Sequence, residues 1–509
     1  MQRTDYFKEP KEVLDGDFTC ELFEAAPGGG KTTLMLAEMV AKPAAYVLAV
    51  PRIDLIAEHA ERLREMALAE GRAPEIVEVH SRTPGAKGKV ERRLRDTLDA
   101  ITSSHAIVIT THTGLMSLAP GEVTGFHVRI DELPEAAIVS GRIGLAVMWH
   151  SMAALYTLVP GVEAGWYRLV PRPDVDPVGL RGILSGVGHE LVELHRLAGS
   201  SGRVVEVNVS AWADAGVSNA PLVQWRSIWT LATLRGAASL KMAAAGYEHS
   251  LARYALERVG GVRVETVRLG KSRTGQPQIR IRYYAAKHIG STAWWDTKDG
   301  SACLVAISRH LADTGFSGFW AGNGKVEPFF AHRFDGTQCK PKLAGTNSLR
   351  DHTSCALIYS AKTTPDDEAV IEALGLTLNP DAIRVAREDE DVFQFACRGA
   401  IRDPAFAGDY AITVYDLDQA DRLRTHLLDG GYTNVCLTPI AEAGLLDVER
   451  PKPAKRGTKP ATTHLTAAQQ RQAKLDKDAE RKREIRKAER NASIAAGTYR
   501  PRGRPKCST

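Results

Sequence analysis

Between residues 19 and 132 the chain repeats one pattern. A short apolar, β-rich run is followed by a longer stretch whose apolar positions recur every three or four residues. The runs are CELFEA, AYVLAV, EIVEVH, AIVITTH and FHVRIDE. Strands that alternate with helices in this way predict a parallel sheet covered by helices on both faces. Between the second and third runs, Ile53, Ile56, Ala60, Leu63 and Ala67 share one helical face, which predicts an amphipathic helix over 52–70 with its other face in water.

From about residue 280 the alternation returns, through IRIRYYA, ACLVAISRHLA, GFSGFWA and CALIYSA to YAITVYD and LDQADRLRTHLLDGG, with a further helix near 366–374. This predicts a second α/β domain. Residues 140–235 break the pattern with Gly, Pro and Trp and show no period, so they read as an insertion or accessory segment. The expected organisation is a first α/β lobe over 1–139, the insertion over 140–235, the end of the first lobe and a connection over 236–279, a second lobe over 280–448, and a tail over 449–509.

The tail differs in kind. ERPKPAKRGTKPATTH is a Pro-punctuated linker, and the segment after it is rich in helix formers and alternating charge with almost no apolar stripe. Residues 451–509 hold 17 Lys/Arg against 5 Asp/Glu, a net +12 in a chain whose total is +5, so the preceding 450 residues carry −7. A basic tail on an acidic body points to nucleic acid or another anionic surface; its alternative is a merely solvated extension. The charged helix over 465–495, which also carries acids, is a candidate docking segment for a partner protein.

Seven cysteines without a C-x-x-C pair suggest neither a disulfide framework nor a cysteine-held metal. The start, MQRTDYFKEPKEVLDGDF, lacks the apolar core of a signal peptide. The expected location is the cytoplasm. IGLAVMWHSMAALYTLVPG is interrupted by His150 and Ser151 and is about the minimum length to span a bilayer, so it predicts a buried helix and no membrane partner.

The sharpest chemistry lies in FEAAPGGGKTT, where a strand meets a glycine-rich turn and then a helix. That context suits a phosphate-binding loop. Gly28, Gly29 and Gly30 let backbone N–H groups approach phosphate, Lys31 reaches the β- and γ-phosphates, Thr32 offers its hydroxyl to Mg²⁺, and Thr33 is counted with the nucleotide-binding residues. ATP and Mg²⁺ are therefore the expected ligands. About 100 residues on, VRIDELPEA closes an apolar strand with Asp131 and Glu132, an acid pair suited to holding the Mg²⁺ shell and polarising the attacking water. Alone, such a pair is a solvated turn; behind this loop it reads as half of a hydrolytic site.

The loop departs from the general phosphate-binding pattern at Ala25, and A-x-x-G-x-G-K-T resembles the first motif of superfamily 2 helicases. The Asp-Glu pair resembles the DExx motif of that family. QFACRGAIR resembles its sixth motif: Gln394 would order the site, and Arg398 or Arg402 would act across a cleft as an arginine finger. In the family the two arginines are three residues apart and here they are four, which leaves open the choice of finger. Taken alone, the same stretch reads as a helix with two exposed arginines.

Looser matches follow in order. LAVPRIDLIAEH resembles motif Ia, with Pro51 and Arg52 against a nucleic-acid backbone; VITTHTGLMS, with Thr111, resembles the motif before the DExx strand; LAGTNSLRDHTSCALI, with Gly345, Asn347 and Asp351, resembles motif V. LKMAAAGYEHS stands where motif III belongs but lacks its Ser/Thr-Ala-Thr core. The long insertion resembles that of iron–sulfur helicases, without their cysteines. YRPRGRPKC resembles an AT-hook, with Arg500, Arg502, Gly503, Arg504 and Pro505 suited to a narrow A·T minor groove.

The resemblance implies two tandem RecA-like parallel-sheet motor domains that close on ATP, and a DNA helicase or translocase of phage or plasmid type. An ATPase switch that loads a partner without unwinding, and an RNA helicase, are the alternatives.

Overall fold

The computed structural model describes residues 18–449 apart from 26, 84–89, 145–152, 174–190, 209–221, 270–272, 288–289, 342–347, 362–366, 368–369 and 371–383. Gly345, Asn347, the expected helix over 465–495 and the Arg500–Pro505 stretch lie outside the described residues, as does nearly all of the helix expected at 366–374.

The chain opens with β1 (Thr19–Glu24), α1 (Lys31–Ala41), β2 (Ala45–Val50), α2 (Ile53–Ala69), β3 (Glu75–Val79), α3 (Val90–Ala100), β4 (Ala106–Thr111) and β5 (His127–Asp131). After an intervening segment, β11 (Ser239–Ala244), a helix over Leu251–Val259 and β12 (Arg263–Arg268) complete a seven-stranded sheet of order β12-β1-β11-β5-β2-β4-β3. Every pairing in it is parallel. In β2, Leu48 and Val50 pack with Met35, Leu36, Ile56, Ala60 and Leu63 of α1 and α2, while Val47 and Ala49 face the opposite layer with Leu94 and Leu98 of α3. Burial on both faces is why these strands read as unbroken apolar runs.

The intervening segment is a sheet in its own right: β6 (Ile138–Ile143), β7 (Tyr156–Pro160), β8 (Trp166–Pro171), β9 (Val204–Asn208) and β10 (Val223–Ile228), antiparallel in the order β6-β10-β9-β8-β7, with α4 (Val192–Ala198) packed on it. Of the stretch IGLAVMWHSMAALYTLVPG, expected as a buried helix, residues 145–152 lie outside the described residues. Among its described residues, 153–155 form a helical turn, Ile143 ends β6 and 156–160 form β7, with Ile143 and Tyr156 buried in the small core. Among the described residues no helix is long and apolar enough to cross a membrane.

With the Leu251–Val259 helix as α5, the second lobe follows: β13 (Gln278–Ala285), α6 (Lys298–Asp313), β14 (Phe319–Gly322), β15 (Thr337–Gln338), β16 (Ser354–Ile358), a π-helical turn at Val385–Asp389 leading into α7 (Glu390–Ala396), β17 (Asp409–Asp416), α8 (Leu417–Asp429) and β18 (Val435–Pro439). Its sheet runs β15-β14-β16-β17-β13-β18, again parallel throughout. The two parallel sheets are the paired α/β lobes that the alternating pattern predicts. Apolar clusters line both faces of the second sheet, one closed by α7 and α8 and the other by α6.

Candidate active site

The carboxyl ends of parallel strands are where such sheets bind ligands, since the following turns fan out over the edge. Three neighbouring strands of the first lobe, β1, β11 and β5, end together here. The glycine turn follows β1. Gly28 and Gly30 have φ of 82° and 83°, a left-handed conformation that lets the chain double back into α1, whose N-terminus carries Lys31. Lys31 donates from Nζ to the carbonyl of Ala25 at 2.5 Å. Burial lowers the Lys31 pKa, and the carboxylates of Glu390, Asp131 and Glu132 oppose that fall.

Asp131 ends β5 and is 5% exposed. The Thr32 hydroxyl donates to its Oδ1 at 2.7 Å, and His59 Nε2 lies 3.2 Å from its Oδ2. Burial alone would raise the carboxyl, but the hydrogen bond and charge of His59, with the Thr32 hydroxyl, hold it below its ordinary value. A hydroxyl and an ionised carboxylate aimed at one point form an all-oxygen donor set, which fits Mg²⁺. Bound there, Mg²⁺ would supply positive charge to the phosphate oxygens.

Glu132 takes φ of 67°, rare for a residue with a side chain, and its N–H donates to Ala243 O of β11 at 2.8 Å. The bond to β11 holds the turn. Burial, reinforced by the Asp131 charge, raises its carboxyl to about 7.

The second lobe supplies the opposite wall. α7 ends at Ala396, and the extended Gly399 separates it from a short 3-10 turn at Ala400–Arg402. The reading of QFACRGAIR as a helix with two exposed arginines is therefore corrected: Arg398 stands past the helix end, only 4% exposed. The break at Gly399 turns both arginines to the cleft despite their four-residue spacing. Arg398 Nη2 lies 3.8 Å from Glu132 Oε1 and donates to Gln394 Oε1 at 3.3 Å. Its buried Nε has no hydrogen-bond partner among the described residues, an orphan donor that an anionic ligand would satisfy. Burial lowers the Arg402 pKa to about 10, helped by the charges of Arg398 and Arg350.

Gly28 to Thr33, His59, Asp131, Glu132, Gln394, Arg398 and Arg402 line one cavity of about 780 Å³. Sequence reasoning did not single out several other lining groups. His59 could have been found, because it falls beside Ala60 on the apolar stripe of α2. Arg62, which donates to Thr33 Oγ1 at 2.6 Å, carries no such signal, whereas Arg350 stands beside Asp351 in the stretch resembling motif V. Among the residues expected to touch nucleic acid, Pro51 and Arg52 follow β2, and the positive charge of Arg52 is felt by Arg398. Thr111 uses its hydroxyl to accept Gly114 N–H at 3.2 Å, capping the turn after β4. None of the three lines the cavity. Asp351, from the stretch resembling motif V, does line it.

No family model matches the chain, and no curated protein matches its sequence. Among solved structures it superposes on an XPD helicase with 10% identity over 86% of this chain and 100% of the other, at a TM-score of 0.45. It superposes on Xpd4 of S. tokodaii with 13% identity over 86% and 99%, at 0.44. On RecG bound to a three-way DNA junction the figures are 11% identity, 84% and 45%, at 0.34. Superpositions this loose carry no functional weight.

Proposed function

We propose that the protein is an ATP hydrolase of the superfamily 2 helicase type, which couples hydrolysis to movement on, or unwinding of, DNA. The observation that carries this reading is the shared cavity: Lys31, Thr32, Asp131 and Glu132 on one lobe face Gln394, Arg398 and Arg402 on the other.

The division of labour follows from the chemistry of phosphoryl transfer, which asks a protein for positioning and charge stabilisation more than for covalent steps. The N-terminus of α1 and Lys31 hold the phosphates. Thr32 and Asp131 hold Mg²⁺, and Glu132, as a carboxylate, orients the attacking water and takes up its proton. Arg398 and Arg402 offset charge developing on the γ-phosphate, but only while the lobes are closed. Hydrolysis and product release then alternate closed and open states, and two lobes that grip a strand by its backbone would step along any sequence. The basic tail, with Arg500, Arg502, Gly503, Arg504 and Pro505, favours DNA as the track and adds a grip on A·T-rich duplex.

Strand-displacement assays on forked and tailed duplexes, run beside triplex displacement, test the motor. Turnover stimulated by DNA with no displacement in either assay would leave an ATPase switch. Removing residues 499–509 should lower duplex affinity and reduce the salt slope by roughly one for each phosphate the tail no longer neutralises.

A further inference from the structure

Glu390 belongs to none of the sequence motifs, yet it bridges the two lobes. It opens α7, four residues before Gln394, and its carboxylate reaches the turn after β11. Gly246 in that turn has φ of 66°, and a β-carbon there would stand 2.7 Å from Glu390 Oε2. The carboxylate thus lies on bare backbone of the first lobe. Its other oxygen accepts a hydrogen bond from Gln394 Nε2 at 2.8 Å. Gln394 Oε1 in turn accepts from Arg398 Nη2 at 3.3 Å, and Arg398 approaches Glu132.

The chemistry of this chain has a direction. An amide donates from one end and accepts at the other, whereas an ionised carboxylate only accepts. By taking the NH₂ end of Gln394, Glu390 turns the amide oxygen toward Arg398, where a guanidinium needs an acceptor. Without Glu390 the amide is free to flip, and its NH₂ would then face the arginine and repel it. Burial raises the Glu390 carboxyl above its ordinary value, while the Gln394 hydrogen bond and the Lys31 charge across the cleft favour its ionised form.

We propose that Glu390 is a positioning residue that fixes Gln394, and through it Arg398, against the Gly246 turn, so that Arg398 is aligned only when the lobes are together. The turn after β11 lacks the Ser/Thr-Ala-Thr core, and Glu390 supplies a bridge between that turn and the arginine. This rests on the ATPase reading above.

The test is steady-state ATP hydrolysis by the full chain carrying Glu390→Ala, Glu390→Gln, Arg398→Ala, or Glu390→Ala with Arg398→Ala. Affinities for Mg·ADP with and without aluminium fluoride are measured alongside. Misalignment of a catalytic group by about 1 Å costs on the order of 100-fold, so Glu390→Ala should lower kcat by roughly 10- to 100-fold with KM unchanged. It should weaken binding of the aluminium fluoride complex but not of Mg·ADP. Glu390→Gln keeps an acceptor oxygen but can also present its NH₂ to Gln394, so it should recover only part of the rate. In the Arg398→Ala background, Glu390→Ala should have no further effect. Additive losses, a Glu390→Gln variant as fast as wild type, or a Glu390→Ala variant as fast as wild type would each overturn the proposal. Turnover that needs Lys31 and Arg398 but ignores Glu390 removes this inference alone; no turnover in the wild-type protein removes the ATPase reading with it.

Discussion

Arg402 lies directly over Gly28: a β-carbon on the glycine would stand 2.8 Å from Arg402 Cγ and 3.0 Å from its carbonyl oxygen. The second lobe therefore rests on the first at the turn expected to cradle phosphate. Gly28→Ala should fail twice. A left-handed φ costs a residue with a β-carbon about 1–2 kcal/mol, and the clash meets backbone that a side-chain rotation cannot move. The KM for ATP should rise at least about tenfold, since each 1.4 kcal/mol is a factor of ten. Gly71, also at positive φ but with open space around it, is the control, and Gly71→Ala should leave hydrolysis unchanged.

The two arginines should separate kinetically. Arg398 stands beside Glu132 with an unsatisfied Nε, so Arg398→Ala should lower kcat by about 10³-fold or more at constant KM. Arg402 also packs on Gly28, so Arg402→Ala should raise KM as well as lower kcat. Arg398→Lys should not rescue, because an ammonium lacks the planar fork. Equal effects of the two Ala substitutions on both constants would contradict this assignment.

Glu132 gives a pH signature in protein free of metal and nucleotide. Its carboxyl is raised to about 7, by burial first and the Asp131 charge second. The folded state therefore holds a proton that the unfolded chain has released. Stability from this group is fully present below the ordinary carboxyl value and is lost as pH climbs to about 7. Glu132→Gln should match wild type in Tm near pH 4.5, exceed it increasingly up to pH 7, and keep a constant advantage above. A constant difference across that range would mean Glu132 is not held raised.

The accessory sheet is pinned by a buried ionic group. Arg226 is fully buried, donates from Nε to Glu206 Oε2 at 2.6 Å, pairs with Glu163 and lies 4.0 Å over the Trp166 ring. Arg258 of α5 donates to Glu163 Oε1 at 2.6 Å, which ties the sheet to the first lobe. Arg226→Ala leaves Glu206 buried and poorly paired, and losses of about 3–5 kcal/mol are typical when one partner of a buried pair is removed. Denaturant titration should show that loss.

The two lobes were legible because β2, β4, β5 and β17 are buried on both faces, so their apolar runs stand out without knowledge of their neighbours. The accessory sheet was not. β10 pairs with β6 some 80 residues away, a pairing that local periodicity does not carry. The same limit applies in the site. Lys31, Asp131 and Arg398 sit in recognisable strings, but His59 and Glu390 act through partners 72 and 144 residues distant in the chain, and only folding brings them there.

The most direct measurement is ATP hydrolysis by the wild-type and Lys31→Ala proteins with no nucleic acid, single-stranded DNA, duplex DNA or RNA. DNA should stimulate turnover more than RNA does, and Lys31→Ala should abolish it while tail-driven DNA binding remains. Turnover that survives Lys31→Ala, or that no nucleic acid stimulates, would contradict the assignment of this cleft as the engine of a DNA motor.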